Sequence, residues 1–244
     1  MRVRARPRLY SAMLVLQTVI EIGITAGLRA VETSAVILSA LSGIIVAARK
    51  RMDLVGTYAL AVVTGFGGGT VRDVLLDRRP LFWVTYWQYL VVVLALCIIF
   101  VYSRRAYESA SRWQRRFDVV DAIGLGLFAL SGVQLALQHS MPLFVAAIYG
   151  VITASVGGIL RDVLSSEIPI IFRGVGALHA SAVFVGGAIY AALLALGAPQ
   201  LIAGAIGFAA IVALRLSSIW LGFGLPKPHW LRELQKSGEF PTGN

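Results

Sequence analysis

Apolar residues fill long runs of this chain, and polar residues collect in the short segments between those runs. Seven runs approach the roughly 20 residues that an α-helix needs to cross a bilayer. They cover approximately 32–48, 54–76, 83–102, 119–137, 143–164, 175–196 and 199–220. The pattern predicts an all-α integral membrane protein with seven core transmembrane helices, and a possible eighth helix before them.

Composition favours the same class of protein. Of the 244 residues, 58% are hydrophobic and only 14% are charged, and the mean hydropathy is +0.79. Cys97 is the single cysteine, so an intrachain disulfide is excluded. The sequence shows no cluster of metal ligands and no nucleophile beside a base, so it predicts no metal site, no resident cofactor and no enzyme.

One segment of the chain occurs twice. The residues from Thr64 to Leu75 return as Thr153 to Leu164, at an offset of 89 residues. The same offset pairs Leu41-Ser42-Gly43 with Leu130-Ser131-Gly132. Each copy contains three predicted helices, and an odd number makes the second copy enter the membrane from the opposite side. The chain is therefore predicted to be an inverted 3+3 repeat with one additional helix.

The repeat divides the chain into six segments. These are a basic extension with an apolar stretch (1–30), repeat 1 (31–103), a basic linker (104–117), repeat 2 (118–197), a seventh helix (198–222) and a tail (223–244). Residues 9–28 are compatible with an extra span, an interfacial helix or a cleaved signal peptide. Glu21 within the apolar stretch argues against the signal peptide.

Basic residues mark one side of the membrane. Lys and Arg concentrate in the loops after spans 1 and 3 and in the tail, which predicts that these segments and the C-terminus are cytoplasmic. The formal net charge of +10 then reflects topology and contact with anionic lipid headgroups. Nucleic acid is not needed to explain it.

Glycines cluster in the second and fifth predicted helices, as Gly67, Gly68 and Gly69 and as Gly157 and Gly158. A phosphate-binding loop is disfavoured because no strand precedes the glycines and no Lys-Ser/Thr follows them. Consecutive glycines predict a bend or local unwinding that lines a transport path. Close packing of helices is the alternative interpretation.

Hydroxyl groups flank both clusters of glycines. Thr64 precedes the first cluster, and Thr153 and Ser155 precede the second. These side chains are candidates for the wall of the path, although each is also an ordinary helix-packing residue.

An Arg-Asp pair follows each cluster, as Arg72-Asp73 and Arg161-Asp162. An arginine near the middle of a membrane helix costs about 2.5 to 3.5 kcal/mol on the insertion scale, so it needs a partner. Neighbours in a helix point about 100° apart, which predicts that each arginine does not pair with the aspartate beside it.

The repeat offers better partners for the two arginines. Span 1 begins at Glu32, on the side where span 2 reaches Arg72, and Asp121 has the same relation to Arg161. We therefore predict the pairs Glu32 with Arg72 and Asp121 with Arg161, one near each mouth of a path. The pairs either hold the repeats together or act directly in ion passage.

Other ionisable residues of the predicted spans have weaker signals. His139 and His179 are isolated, and structural roles are predicted for both. Arg215 in span 7 is predicted to extend its side chain towards the cytoplasm.

The motifs together resemble a known family. Arg49-Lys50-Arg51-Met52-Asp53-Leu54, the stretch Gly67 to Asp73, and Gly157 to Leu164 with Glu167-Ile168-Pro169 are similar to the prokaryotic TRIC (trimeric intracellular cation) channels. The same family contains bacterial membrane proteins named glycine transporters. Val156 replaces the glycine equivalent to Gly67, and Glu32 replaces the family's usual aspartate.

The resemblance implies a homotrimer in the bacterial inner membrane. Each protomer would have its own hourglass pore, lined by spans 1, 2, 4 and 5 and bent at the glycines, that conducts monovalent cations, mainly K⁺. Three functions remain open: a passive cation channel, which is favoured, a secondary transporter of glycine or another small amino acid, and a structural membrane protein.

Overall fold

The computed structural model describes residues 29–103, 105, 114–172 and 178–222. The helices in these ranges are α1 (Arg29–Arg49), α2 (Leu54–Leu75), α3 (Phe82–Thr85), α4 (Gln88–Tyr102), α5 (Gln114–Gln138), α6 (Leu143–Leu164), α7 (His179–Ala195) and α8 (Gln200–Leu221). A 3₁₀ turn, Ile170–Phe172, precedes α7. The predictions for residues 9–28 and for the C-terminal tail lie outside the described residues.

The seven predicted spans all correspond to helices. Helices α1, α2, α5, α6 and α8 each contain an apolar stretch of 21 or 22 residues, long enough to cross a membrane. Helices α4 and α7 are also apolar but shorter, with 15 and 17 residues. Large apolar side chains face outward, such as Leu201 at 84% exposure. The predicted all-α membrane fold is confirmed.

The third predicted span is not one continuous helix. It divides into α3 and α4, and Tyr86 and Trp87 lie between them. The division follows from how α3 is held against α2: the Phe82 ring packs over Gly69, and Trp83 Nε1 donates a hydrogen bond to Thr70 Oγ1 at 3.1 Å. These contacts depend on the tertiary fold, so the hydropathy pattern did not indicate the break.

Two glycines lie at the centre of the molecule, where the backbones of α2 and α6 cross in direct contact. A Cβ built on Gly68 would collide with the carbonyl oxygen of Thr153, and a Cβ on Gly157 would collide with that of Thr64. From one of these contacts to the next, the residue number rises in α2 from 64 to 68 and falls in α6 from 157 to 153, so the helices are antiparallel. The contacts at the crossing exchange under the offset of 89 residues, as an inverted repeat requires.

The glycines do not unwind the helices. Both α2 and α6 are continuous α-helix through Gly67, Gly68, Gly69, Gly157 and Gly158, so the predicted local unwinding is wrong. The alternative of close packing describes the structure. Without a Cβ the two backbones approach each other directly, and each helix keeps its internal hydrogen bonds.

Two apolar cores lie mainly in one half of the chain each. One core joins α1, α2 and α4 through residues such as Val36, Phe66 and Val93. The other joins α5, α6, α7 and α8 through residues such as Val133 and Ile211. The two cores meet along the crossing of α2 and α6, so the interface between the repeats lies at the middle of the bundle.

Candidate functional site: two arginine networks and a cavity

The first network surrounds Arg72 near the C-terminal end of α2. Its side chain is 1% exposed. Nη1 donates hydrogen bonds to Glu32 Oε1 at 2.9 Å and to Ser131 Oγ at 2.8 Å. Nε and Nη2 donate to Asp73 Oδ1 at 2.9 and 2.8 Å. All three guanidinium nitrogens therefore have acceptors, which removes most of the cost of burying the charge.

The second network surrounds Arg161 at the equivalent place in α6. Nη1 donates to Asp121 Oδ1 at 2.7 Å and to Ser42 Oγ at 2.8 Å, and Nε donates to Asp162 Oδ1 at 2.9 Å. Each member of this network is 89 residues from its counterpart in the first. Each arginine takes its serine from the other repeat, so the two networks bind the repeats together.

The structure forms both carboxylate pairs that the sequence predicts, Glu32 with Arg72 and Asp121 with Arg161. The prediction that adjacent residues do not pair is wrong. The arginine side chain is long enough to fold back onto the carboxylate of the next residue. That carboxylate is held in place because Asp73 Oδ2 also accepts from Phe82 N–H at 2.8 Å. Asp162 is held in the same way by the N–H of Ile170, at 2.9 Å.

The two networks lie on opposite sides of the helix crossing. The antiparallel register places Arg161 beside the first half of α2, roughly 12 residues from Arg72. At a rise of 1.5 Å per residue the two arginines are about 18 Å apart along the helix axis. Both therefore lie within the roughly 30 Å thickness of a bilayer core. We call these two positions the Arg72 end and the Arg161 end.

A small polar cavity lies between the crossing and the Arg161 end. Its volume of about 10 Å³ is near the minimum needed to hold one water molecule. The polar side chains in its wall are Ser39, Ser42, Thr64, Asp121, Thr153, Arg161 and His179. The cavity is too narrow for a hydrated ion.

Four of the candidate path residues line this cavity: Thr64, Thr153, Gly157 and Gly158. The threonine hydroxyls donate to the carbonyls of Leu60 and Tyr149, four residues earlier in their own helices, at 2.6 and 2.7 Å. Such bonds use the hydroxyl hydrogen and leave oxygen lone pairs available as acceptors.

The other candidate path residues lie elsewhere. Gly67 faces Leu160 and Gly157 of α6, Gly68 lies at the crossing, and the Phe82 ring covers Gly69. Ser155 lines a second, adjacent cavity. The glycine motif as a whole therefore does not form one continuous wall.

Several residues of the site carried a weak or misleading signal in the sequence. For Arg215 the sequence allowed either extension towards the cytoplasm, which it favoured, or pairing near Asp162 or Glu167. Arg215 is only 2% exposed and interacts electrostatically with Asp118, Asp121 and Asp162, so the second alternative describes the structure. His179 lines the cavity beside Asp121, a neighbour that another helix supplies. Ser42 and its counterpart were detectable in principle, because both belong to the repeated Leu-Ser-Gly triplet.

Metal coordination has no support in the part of the chain that the structure describes. No group of three or more His, Cys, Asp or Glu side chains is arranged there to hold a metal ion. The charged residues of the site bind one another instead.

The two halves of the molecule run antiparallel and bury matching charge networks within a bundle of apolar helices. This arrangement defines an inverted-repeat, multi-pass membrane protein. A family model described as "Glycine transporter" matches residues 29–105 and, separately, residues 118–195. The chain belongs to this family, which contains the TRIC channels, and the resemblance found in the sequence is confirmed. The two separate matches coincide with the two repeats.

Relatives are found among both sequences and structures. A UPF0126 membrane protein of Vibrio cholerae is 37% identical over 187 residues, which cover 77% of each chain. The UPF0126 inner membrane protein YadS of Escherichia coli K12 is 37% identical over 188 residues, which cover 77% of this chain and 89% of YadS. The TRIC trimeric intracellular cation channel orthologue from Rhodobacter sphaeroides is 36% identical, with a TM-score of 0.71 over 79% of this chain and 97% of that structure.

Proposed function

We propose that this protein is a cation channel, with a path in each protomer between α1, α2, α5 and α6. The observation that carries the proposal is the placement of a buried arginine network on each side of a polar cavity, within helices that are long enough to cross a membrane. Charged side chains are costly to bury within a membrane, and where they occur they commonly mark an ion or substrate pathway.

The chemistry of the path favours cations over anions. The guanidinium groups are engaged by carboxylates and serines, so they offer little attraction to an anion. The other polar groups in the wall are hydroxyl oxygens, the His179 ring and one side of the Asp121 carboxylate. Oxygen atoms of this kind replace the water shell of a monovalent cation such as K⁺. We expect modest selectivity because the described residues form no ring of acidic side chains.

The relatives support the proposal at a coarser level. The similar protein of Rhodobacter sphaeroides is described as a trimeric intracellular cation channel, which favours cation passage and a homotrimer here. The concentration of Lys and Arg on one side favours a cytoplasmic C-terminus and contact of that side with anionic lipids. By the same rule the Arg161 end faces the cytoplasm.

A transporter of glycine or another small amino acid is the second candidate. The observation in its favour is the closed cavity at the crossing, because a carrier isolates its substrate site from at least one side of the membrane at a time. Channel and carrier differ in how they move their substrate, so electrical recording separates them.

The purified protein in planar bilayers under a KCl gradient is expected to give discrete current steps. Their reversal potential should lie towards the K⁺ equilibrium potential and away from that of Cl⁻. Thr153→Val keeps the side-chain shape but removes a hydroxyl from the cavity wall, so we expect conductance to fall several-fold. Thr57→Val is the matched control, because Thr57 is buried in α2 but is not part of that wall. A silent bilayer together with saturable glycine uptake by proteoliposomes would establish the carrier instead.

The proposed assembly gives a second expected result. In mild detergent, light scattering with correction for bound detergent should give a protein mass three times the 26.2 kDa of one chain. A mass of one chain, in protein that still binds its lipids, would contradict the homotrimer while leaving the path within each protomer unaffected.

A further inference from the structure

The two ends of the path differ although the repeat makes them equivalent. The offset of 89 residues pairs Phe66 with Ser155. A large apolar side chain near the Arg72 end therefore corresponds to a polar side chain near the Arg161 end.

Aromatic rings fill the Arg72 end. The rings of Phe66 and Phe82 stack with centroids 5.8 Å apart, and both residues are less than 5% exposed. The Phe82 ring approaches within 2.5 Å of the place that a Cβ on Gly69 would occupy. The same ring faces the Arg72 guanidinium at 5.5 Å. The faces of these two rings offer water no strong hydrogen-bond partner between the Arg72 network and the crossing. The Arg161 guanidinium faces a single ring, that of Phe117, at 5.1 Å.

Polar atoms take the equivalent place at the Arg161 end. Ser155 Oγ and His179 Nδ1 are buried, and neither has a hydrogen-bond partner among the residues that the structure describes. Both residues line one cavity of about 10 Å³, which shares Gly158, Arg161 and His179 with the cavity at the crossing. Gly158 has free space beside it, since a Cβ there would meet only the Arg161 guanidinium, at 3.7 Å.

Two unpartnered polar atoms beside a cavity of this size indicate a ligand. A buried polar atom without a hydrogen-bond partner destabilises a protein. A water molecule fits a cavity of this volume and donates or accepts as each atom requires. A neutral ligand is sufficient here, because the Arg161 charge is already paired with Asp121 and Asp162.

We infer that Ser155 and His179 form a water-binding site that hydrates the Arg161 end, and that Phe66 and Phe82 seal the Arg72 end against water. The inference rests on the proposed path but not on which solute moves along it. The threonines at the crossing are then reached by water from one side of the membrane only.

Cysteine labelling tests this asymmetry. Cys97, buried in the core of repeat 1, is first replaced by alanine. Ser155→Cys and its repeat counterpart Phe66→Cys are then exposed in proteoliposomes, in chloride-free buffer, to Ag⁺, a thiol-reactive ion small enough to follow water, added on either side. Labelling is read as protection of the thiol from a maleimide that is added after unfolding. We expect Ser155→Cys to react from one side only, and at least tenfold faster than Phe66→Cys reacts from either side. Gly158→Cys, which has space for its side chain, should behave like Ser155→Cys.

Two further variants make the Arg161 end less polar and open the aromatic packing of the Arg72 end. His179→Leu removes the unpartnered ring nitrogen, and it should slow labelling of Ser155→Cys about tenfold. Phe82→Ala should make Phe66→Cys reactive, and from the side opposite to the one that labels Ser155→Cys. Thermal unfolding of each variant checks that labelling reports on folded protein.

The possible outcomes separate this inference from the proposed function. Slow labelling of both Ser155→Cys and Gly158→Cys in folded protein, or equal labelling at Phe66→Cys, would overturn the water site even if K⁺ currents are recorded. One-sided labelling in a protein that passes no current would support the water site and overturn the channel.

Discussion

Gly68→Ala is expected to lower the midpoint of thermal unfolding by about 6 to 12 °C. The new methyl group would collide with the backbone carbonyl of Thr153, and backbone cannot rotate away as a side chain can. Helices α2 and α6 must therefore separate at the point where the two repeats meet. Overpacking of this kind costs about 3 kcal/mol or more, and 1 kcal/mol shifts the midpoint by roughly 2 to 4 °C in a chain of this size.

The protein contains a matched control for this substitution. Gly158→Ala adds the same methyl group to the same motif of α6, but it meets only the Arg161 guanidinium at 3.7 Å. This variant should unfold at or slightly above the wild-type midpoint, since alanine stabilises a helix relative to glycine by about 1 kcal/mol. Fluorescence-detected size exclusion after heating measures both variants. Equal midpoints would mean that close packing at the crossing does not hold the repeats together.

Arg72→Met is expected to destabilise the protein by about 3 kcal/mol, because the buried carboxylates of Glu32 and Asp73 lose their buried cation. They keep only Arg78, which is 35% exposed and lies 4.0 Å from Glu32 Oε1 and 3.5 Å from Asp73 Oδ1. Arg72→Lys keeps the charge but not the geometry. One ammonium group cannot replace the donors that reach Glu32, Ser131 and both bonds to Asp73, so we expect an intermediate loss. Thermal unfolding and the yield of folded protein measure the effect.

An exposed ion pair provides the comparison. Lys50 Nζ and Glu167 Oε1 are 2.6 Å apart, but their side chains are 38% and 44% exposed. Lys50→Met should therefore change stability by less than about 1 kcal/mol. If Lys50→Met and Arg72→Met had similar effects, burial of the Arg72 network would not be what makes it important.

The sequence was sufficient to predict the repeat, its inverted orientation and the two long-range carboxylate pairs. These features follow from simple constraints: a fixed offset, an odd number of spans, and the cost of an uncompensated arginine in a membrane. The pairing of Glu32 with Arg72 could be predicted because the helix directions put both residues on the same side of the membrane.

Other features depend on contacts that the sequence does not encode locally. The glycines favoured a bend or unwinding, with close packing as the alternative, and the outcome depended on what another helix places beside Gly68. The division of the third span depends on Phe82 entering the space over Gly69. Arg215 lies outside the repeat, so no counterpart indicated its burial.

The exchanged serines have a consequence for a chain of half this length. Arg72 needs Ser131, and Arg161 needs Ser42, so one repeat alone leaves its arginine one hydroxyl short. A second copy inserted in the opposite direction would supply that hydroxyl, and would receive the same in return. A three-helix ancestor with this motif would therefore have been complete only as a dimer of chains inserted both ways, and gene fusion would then have fixed one copy in each direction.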